Sequence, residues 1–196
     1  PISTPLPCPG RGAYRIRHGF GYSVFEHEEN GINTELWVYV ALEAPIKFSR
    51  LKVRNSSGRP RRLTVTSYVE WVLGDLRSRS AMHLVTEADP FSGALLARNA
   101  YSIDFSSRVA FLDTAAENPG FTGDRTEFIG RNGNLASPAA LERGRLSGRT
   151  GAGMDPCGAF QVPLVLDEGE SREIVFRLGF ENDAKAANLL LLKHRG

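Results

Sequence analysis

The sequence predicts a mainly β fold, a large antiparallel β-sandwich with one helix at its C-terminal end. Many short runs have the apolar patterns of strands, and turns containing Gly, Asn, Asp or Pro separate them. Only the last segment shows helical periodicity. A length of 196 residues fits one domain, because large sandwiches reach this size without dividing. About nine strands in one domain indicate a sandwich.

The chain begins with a Pro- and Gly-rich stretch, residues 1–12, which predicts an extended linker. Residues 13–181 contain the strand patterns and form the predicted sandwich domain. Residues 182–196 predict a linker helix, and either Asn182 or Asp183 can cap its start. The side chains that share one face of this helix are Ala187, Leu190, Leu191 and His194.

Four strands are predicted in the first half of the chain. Residues 20–27 are aromatic-rich, and residues 35–42 have apolar side chains on both faces, which predicts a strand buried on both sides. Within residues 46–54 the apolar positions change phase, which predicts a β-bulge near Ser49 and Arg50. Residues 62–73 form the longest pattern. The side chains on one face of it are Leu63, Val65, Val69, Trp71 and Leu73.

The second half predicts two hairpins and one strand between them. The first hairpin has strands at 82–87 and 94–99, and the second has strands at 159–166 and 173–179. Residues 108–113 form the strand between them. Pro163 predicts an edge position or a bulge, because proline cannot donate a hydrogen bond to a neighbouring strand.

Composition excludes several classes of protein. The formal charge is +2, from 24 basic and 22 acidic residues, and nucleic-acid binders usually carry a strong basic excess. No apolar run reaches the ~20 residues that cross a bilayer, and no signal peptide pattern is present. Cys8 and Cys157 are expected to be free thiols of a reducing compartment. Neither lies at zinc-ligand spacing from a histidine, so we expect no metal and no cofactor.

No motif marks a catalytic centre. The chain has no nucleophile elbow, and the Gly-rich run at 148–153 lacks the ending of a phosphate-binding loop, so a turn is favoured there. The carboxylates available for acid–base chemistry are not paired by spacing: Glu26, Glu28, Glu70, Asp124, Glu127 and Asp155. The aromatic side chains that could stack on a sugar, most of them expected in the core, are Tyr22, Trp37, Tyr39, Tyr68 and Trp71.

The segment 121–141 is the strongest candidate for a functional site. It is Gly-rich, lacks hydrophobic periodicity and holds Asp124, Arg125, Glu127 and Arg131. Long irregular segments inside a compact domain are usually functional or disordered. We therefore expect a loop whose purpose is more than filling a core.

Several motifs together resemble those of cyclic β-1,2-glucan synthases, at the start of their C-terminal module. That module is similar to the cellobiose and chitobiose phosphorylases of glycoside hydrolase family 94. The resemblance covers essentially the whole chain, and its most specific part is D-R-x-x-F-I-G-R at 124–131. The other motifs are TPLP at 4–7, HGFGYSVFEH at 18–27, VTSYVEWVLG at 65–74, ALLARN at 94–99 and LSGRTGAGMDPCGAFQ at 146–161.

The resemblance implies a galactose-mutarotase-like super-sandwich, followed by a linker helix and an (α/α)₆ barrel that carries the catalytic acid. In the family, phosphate takes the place of the second carboxylate. The implied partners are that barrel in the same parent chain, a second copy in a homodimer, and β-1,2-glucan and phosphate; nucleic acid is not among them. The implied location is the bacterial inner membrane for the parent, with this module on the cytoplasmic side.

This chain is then a non-catalytic sandwich domain that supports the barrel. The resemblance implies a loop facing the substrate cleft or a partner at Asp124, Arg125, Glu127 and Arg131; the alternative is an internal network of these charges that only fixes the loop. Two other functions stay open. One is an independent carbohydrate-binding module for β-glucans. The other is a free-standing enzyme, for which His18 or His27 with Glu26 or Glu70 is the available acid–base pair.

Overall fold

The computed structural model describes residues 10–195, so most of the predicted linker at 1–12 lies outside the described residues. Two antiparallel sheets form the domain, which confirms the predicted fold class. The strands are β1 Tyr14–Gly19, β2 Tyr22–Glu29, β3 Ile32–Val40, β4 Ile46–Asn55, β5 Arg61–Glu70, β6 Leu84–Ala88, β7 Leu95–Asn99, β8 Val109–Thr114, β9 Gly120–Asp124, β10 Pro156–Leu166 and β11 Ser171–Glu181. The helices are α1 Arg77–Ser80, α2 Arg125–Ile129 and α3 Ala184–His194.

The large sheet has eight strands in the order β1-β2-β3-β4-β11-β8-β7-β6, and the small sheet has three in the order β5-β10-β9. The main core lies between the two sheets, where Leu95, Leu112 and Phe160 are fully buried. A second apolar cluster lies on the opposite, outer face of the large sheet. There Phe111 packs beneath Leu191 of α3. The large sheet is therefore covered on both faces along part of its width.

Because the large sheet is covered on both faces, the apolar positions of β4 change from one face to the other along the strand. The predicted bulge near Ser49 and Arg50 was wrong. The pairing of β4 with β3 and with β11 runs without a register shift. Phe48 belongs to the outer cluster beneath α3, whereas Val53 belongs to the inner core. Side chains alternate between the faces of a strand, so burial changes face along β4 while the backbone stays regular.

Two further predictions about strands were wrong. β3 is not buried on both sides, because its residues are half-buried and Val40 is exposed. β10 and β11 do not form a hairpin. β10 pairs with β5 and β9, whereas β11 pairs with β4 and β8, so the turn between them joins the two sheets. The hairpin of β6 and β7 is confirmed, and β1 is an additional edge strand without a clear apolar pattern.

Of the two predictions for Pro163, an edge position or a bulge, the edge position is confirmed. Pairing of β10 with β9 ends at Gln161, so Pro163 has a paired neighbour only on the β5 side, at Thr64. The missing N–H therefore costs no interstrand bond at this edge. Of the two possible caps of α3, Asp183 is the one used: its side chain accepts a hydrogen bond from the N–H of Ala186. No helix in the described part of the chain has the length and apolar character needed to cross a membrane.

Candidate functional site

The segment 121–141 begins in a sheet and continues as short helices. β9 ends at Asp124, α2 follows directly, and a turn of 3-10 helix lies at Ala139–Glu142. Phe128 and Ile129 are buried in a third apolar cluster under the small sheet. The expectation of an irregular segment was therefore wrong in part. Its helices are too short to show periodicity, although they pack a small core.

Asp124 and Glu127 are both buried and hold the segment in place. Asp124 caps α2, accepting from the N–H of Thr126 at 2.9 Å, and pairs with Arg149 at 3.2 Å. Glu127 accepts hydrogen bonds from the hydroxyl of Thr122 at 2.7 Å and from the N–H and hydroxyl of Ser147, each at 2.8 Å.

Hydrogen bonds decide the charge state of Glu127. Burial would raise the pKa of this carboxyl, but the bonds from Thr122 and Ser147 and the nearby Arg143 outweigh burial and lower the pKa. The carboxylate is thus held ionised. A carboxylate that is ionised at neutral pH and held by several hydrogen bonds can position a backbone segment, but it is poorly suited to donating a proton in general acid catalysis.

Arg125 belongs to a compact group of four charges, here called the Arg125 cluster: Glu70, Arg77, Arg125 and Asp155. The Nε atom of Arg125 lies 2.8 Å from a carboxylate oxygen of Glu70, and its Nη1 atom lies 3.3 Å from a carboxylate oxygen of Asp155. Arg77 contacts the same two carboxylates. Each arginine thus bridges both acids, and each of the four side chains is about one-third exposed, with values of 30–34%.

The bonds within the Arg125 cluster shift its titration. Burial would raise the pKa of Glu70, but hydrogen bonds from Arg125 and Tyr68 lower it. The hydrogen bond to Glu70 raises the pKa of Arg125. Burial raises the pKa of Tyr68, and the hydrogen bond to Glu70 adds to the rise. The two positive charges are matched by two negative ones, so this arrangement does not form a cationic site for free phosphate.

The four candidate residues do not converge on one site. Asp124 and Glu127 face inward, Arg125 joins a cluster with three other elements, and Arg131 is exposed beyond the end of α2. Within residues 10–195, Arg131 makes no ion pair. Sequence reasoning had considered Glu70 and Asp155 singly but not Arg77, and these partners are too far from Arg125 in sequence to reveal the cluster.

One end of the sandwich exposes an unusual number of large apolar side chains. β3 ends there, β4 and β8 begin there, and the turn between β1 and β2 lies there, because neighbouring strands are antiparallel. We call this surface the apolar end. Its exposed side chains are Phe20, Val40, Leu42, Leu76, Met82, Tyr101, Ile103 and Phe180. The Arg125 cluster is at the same end, since β5 ends at Glu70 and β9 ends at Asp124.

A groove of about 380 Å³ lies within the apolar end, between the large sheet and the connections that follow β5 and β7. Val40 and Phe180 line it from the large sheet, and Leu73 and Phe105 line it from the connections. The guanidinium of Arg108 lies 5.4 Å from the ring centre of Phe180. Monomeric proteins rarely expose extended apolar patches, so such a surface is typical of an interaction site.

The histidines do not form the acid–base pairs considered above. His18 bonds the hydroxyl of Ser23, and His27 stacks on Tyr14. Glu26 pairs with Arg17 at 3.0 Å. In the described part of the chain, no group of three or more His, Cys, Asp or Glu side chains could hold a metal ion. Cys157 is a buried free thiol whose pKa is raised by burial, and Cys8 lies outside the described residues.

The sequence matches known proteins along nearly its whole length. The profile of the glycosyl hydrolase 94 supersandwich domain matches residues 3–196. The chain is 38% identical over 182 residues to the cyclic β-(1,2)-glucan synthase NdvB of Rhizobium meliloti, covering 91% of this chain and 6% of that protein. It is 25% identical to the N,N'-diacetylchitobiose phosphorylase of Vibrio proteolyticus, covering 85% of this chain and 21% of that protein. The chain thus spans a small part of these relatives.

A polysaccharide lyase of known structure shares the fold. Its likeness covers 87% of this chain and 23% of the lyase, with a TM-score of 0.52 and 12% sequence identity. Identity this low shows a common architecture and no more. Together with the profile match, it agrees with the two-sheet arrangement described above.

Proposed function

The chain belongs to the glycosyl hydrolase 94 supersandwich domain family, and from this premise we propose that it is a non-catalytic domain supporting a separate catalytic barrel of the same parent protein. The coverage of its relatives supports this proposal, because the chain spans only 6% of the glucan synthase and 21% of the chitobiose phosphorylase. Such proteins have ample chain for a catalytic domain elsewhere.

The apolar end is the observation that carries the proposed docking role. Leu42 and Ile103 are almost fully exposed there, and the groove beside them is lined by Val40 and Phe180. Burying such side chains against another domain contributes about 25 cal/mol for each Å² of apolar surface removed from water. We propose that the barrel covers this end, and that a second copy contacts this domain in a homodimer.

For the segment 121–141 we propose a place beside the substrate cleft. Arg131 is exposed, and Arg125 is about one-third exposed at the apolar end. Asp124 and Glu127 hold the backbone that carries both arginines. In this arrangement the two acids position the segment, and the arginines contact the barrel or the sugar.

The proposed reaction of the parent is cyclic β-1,2-glucan synthesis or the phosphorolysis of β-1,2-glucans. The names of a glucan synthase and of a chitobiose phosphorylase among its relatives support a reaction on glycosidic bonds. We propose an inner-membrane location for the parent, with this domain on the cytoplasmic side, as the family resemblance implies. Fractionation of cells that express the full parent tests that location.

An aspartate placed in the apolar end tests the docking role. We expect Ile103→Asp to reduce turnover of β-1,2-glucan by the full parent at least tenfold, because a charge would be buried against the barrel. The control is Phe91→Asp, since Phe91 is 90% exposed in the turn between β6 and β7 at the opposite end. Both variants of the 196-residue chain alone should melt like the wild type. Full activity of Ile103→Asp in the parent would contradict the docking role.

The Arg125→Ala variant of the parent separates the two interpretations of the segment. Loss of turnover with an unchanged melting temperature supports a place beside the cleft. Loss of folding instead favours an internal network, since Glu70 and Asp155 would then face each other with Arg77 alone between them.

A further inference from the structure

The outer face of the large sheet is only partly covered. α3 covers it over β4, β11 and β8 through the cluster of Phe48, Phe111 and Leu191. The rest of this face, over β1 to β3 and the second half of β4, has no covering element among residues 10–195. Two adjoining clefts lie there, of about 720 and 370 Å³, and they share Glu35 and Lys52.

An aromatic pair stands beside these clefts. The rings of Tyr22 and Trp37 stack with centroids 5.3 Å apart and an angle of 28° between their planes. Tyr22 is 42% exposed, and Trp37 lines the smaller cleft. The indole N–H of Trp37 donates to Glu35 at 2.9 Å, which fixes the ring orientation. A fixed indole at the rim of a cleft offers an apolar surface with a polar edge.

Charges of both signs line the two clefts, as five basic and four acidic side chains: Arg15, Arg50, Lys52, Arg54, Arg172, Glu26, Glu28, Glu35 and Glu173. One row across the strands consists of Arg15, Glu26, Glu35, Lys52 and Glu173. Arg50 lies on the same face and pairs with Glu173 at 2.7 Å. The two clefts therefore present hydrogen-bond donors beside hydrogen-bond acceptors, and neither sign of charge creates a strong electrostatic field. A highly charged ligand would meet repulsion as well as attraction here.

We propose that this surface binds a short neutral oligosaccharide. Hydroxyl groups can both donate to the carboxylates and accept from Arg15, Lys52 and Arg50, whereas the C–H face of a sugar ring stacks on Trp37. The larger cleft lies within the ~300–1,000 Å³ range of small-molecule sites, which suits a few sugar units rather than a folded partner. The floor of the clefts lies on the outer face of the large sheet, whereas Tyr22 and Trp37 lie near the end of the sheet at which β2 begins and β3 ends. Sugar binding can be measured on this chain without the barrel, so its failure is distinguishable from failure of the docking role.

Tryptophan fluorescence and calorimetry of the 196-residue chain test this site. The chain has two tryptophans, and Trp71 is 4% exposed in the core, so a change on titration reports on Trp37. Sophorose and longer β-1,2-gluco-oligosaccharides are the probes, with inorganic phosphate as the charged comparison. We expect saturable sugar binding, no phosphate binding, and a loss of about three- to tenfold in affinity for Trp37→Ala.

Two further variants keep the test informative if Trp37→Ala unfolds. The single variant Trp37→Phe retains a ring on which a sugar can stack. It should bind sugar more tightly than the double variant Trp37→Phe with Glu35→Ala, because Glu35→Ala also removes a hydrogen-bond acceptor. Phe91→Ala is the matched control, since Phe91 is an exposed aromatic in the turn between β6 and β7, far from the clefts. A folded chain that gives flat titrations at millimolar sugar, binding that Trp37 variants leave unchanged, or binding of phosphate instead of sugar would each overturn the proposal.

Discussion

Glu127 shows how one buried carboxylate can hold the segment 121–141 in place. We expect Glu127→Gln to lower the free energy of unfolding by about 1–3 kcal/mol at pH 7, because the amide cannot accept all the bonds from Thr122 and Ser147. The pKa of Glu127 is lowered in the folded state. The stabilisation is therefore complete above the unfolded pKa of about 4.3 and is lost as the pH falls through the lower, folded pKa.

Urea unfolding of both proteins from pH 7 down to pH 3 measures this difference. The difference in free energy of unfolding between the wild type and Glu127→Gln should become smaller as the pH falls. Glu142→Gln is the control, since Glu142 is exposed and near in sequence. A gap that stays constant with pH would show that the ionised form of Glu127 is not what stabilises the segment.

At the scale of single residues, the sequence revealed the kinds of side chain but not their partners. The charges of the segment 121–141 stood out, and so did the motif that contains them. Thr122 and Ser147, which hold Glu127, carry no pattern that separates them from surface hydroxyls. Arg77 could not be connected to Arg125 because only the folded sheets bring α1 near β9. Contacts between distant elements of this kind need the tertiary structure.

At the scale of secondary-structure elements, α3 offers a direct test of which residue caps the start of a helix. Asp183 accepts from the N–H of Ala186 at 2.7 Å, whereas Asn182 lies one position earlier and is exposed. We expect Asp183→Ala to cost about 1 kcal/mol of stability, the usual value of a lost cap. Asn182→Ala should change the free energy of unfolding by about 0.5 kcal/mol at most. Thermal unfolding of the two variants compares them, and an equal loss in both would contradict the assignment of the cap.

The strands show where pattern reasoning succeeds and where it stops. The hairpin of β6 and β7 was predictable because its strands are short and joined by a turn. The second predicted hairpin had the same local signals, yet β10 and β11 lie in different sheets. Turn residues specify a reversal of the chain but not which strand lies beside which. In β4 the phase change was real, but its cause was a second cover on the sheet rather than a bulge.

At the scale of the whole molecule, one buried charge network fastens α3 to the large sheet. Asp113 of β8 is fully buried and contacts Arg177 of β11 and Arg195 after α3. Arg177 also donates to the carbonyl of His194 at 3.0 Å. These contacts join two central strands to the end of the helix. The network therefore determines how α3 lies on the outer face, beside the open clefts.

Removing Asp113 should be the most damaging of these changes. We expect Asp113→Ala to lower the free energy of unfolding by about 3–5 kcal/mol, because Arg177, 4% exposed, would keep a buried charge without a carboxylate. The double variant Asp113→Leu with Arg177→Met should lose less, since the most deeply buried charge is then removed and only Arg195, whose side chain is 23% exposed, loses its carboxylate partner. Glu87→Ala is the control: its partner Arg98 is exposed, so the loss should stay below about 1 kcal/mol. Chemical denaturation measures all of these, and a double variant less stable than Asp113→Ala would show that contacts other than charge pairing dominate at this junction.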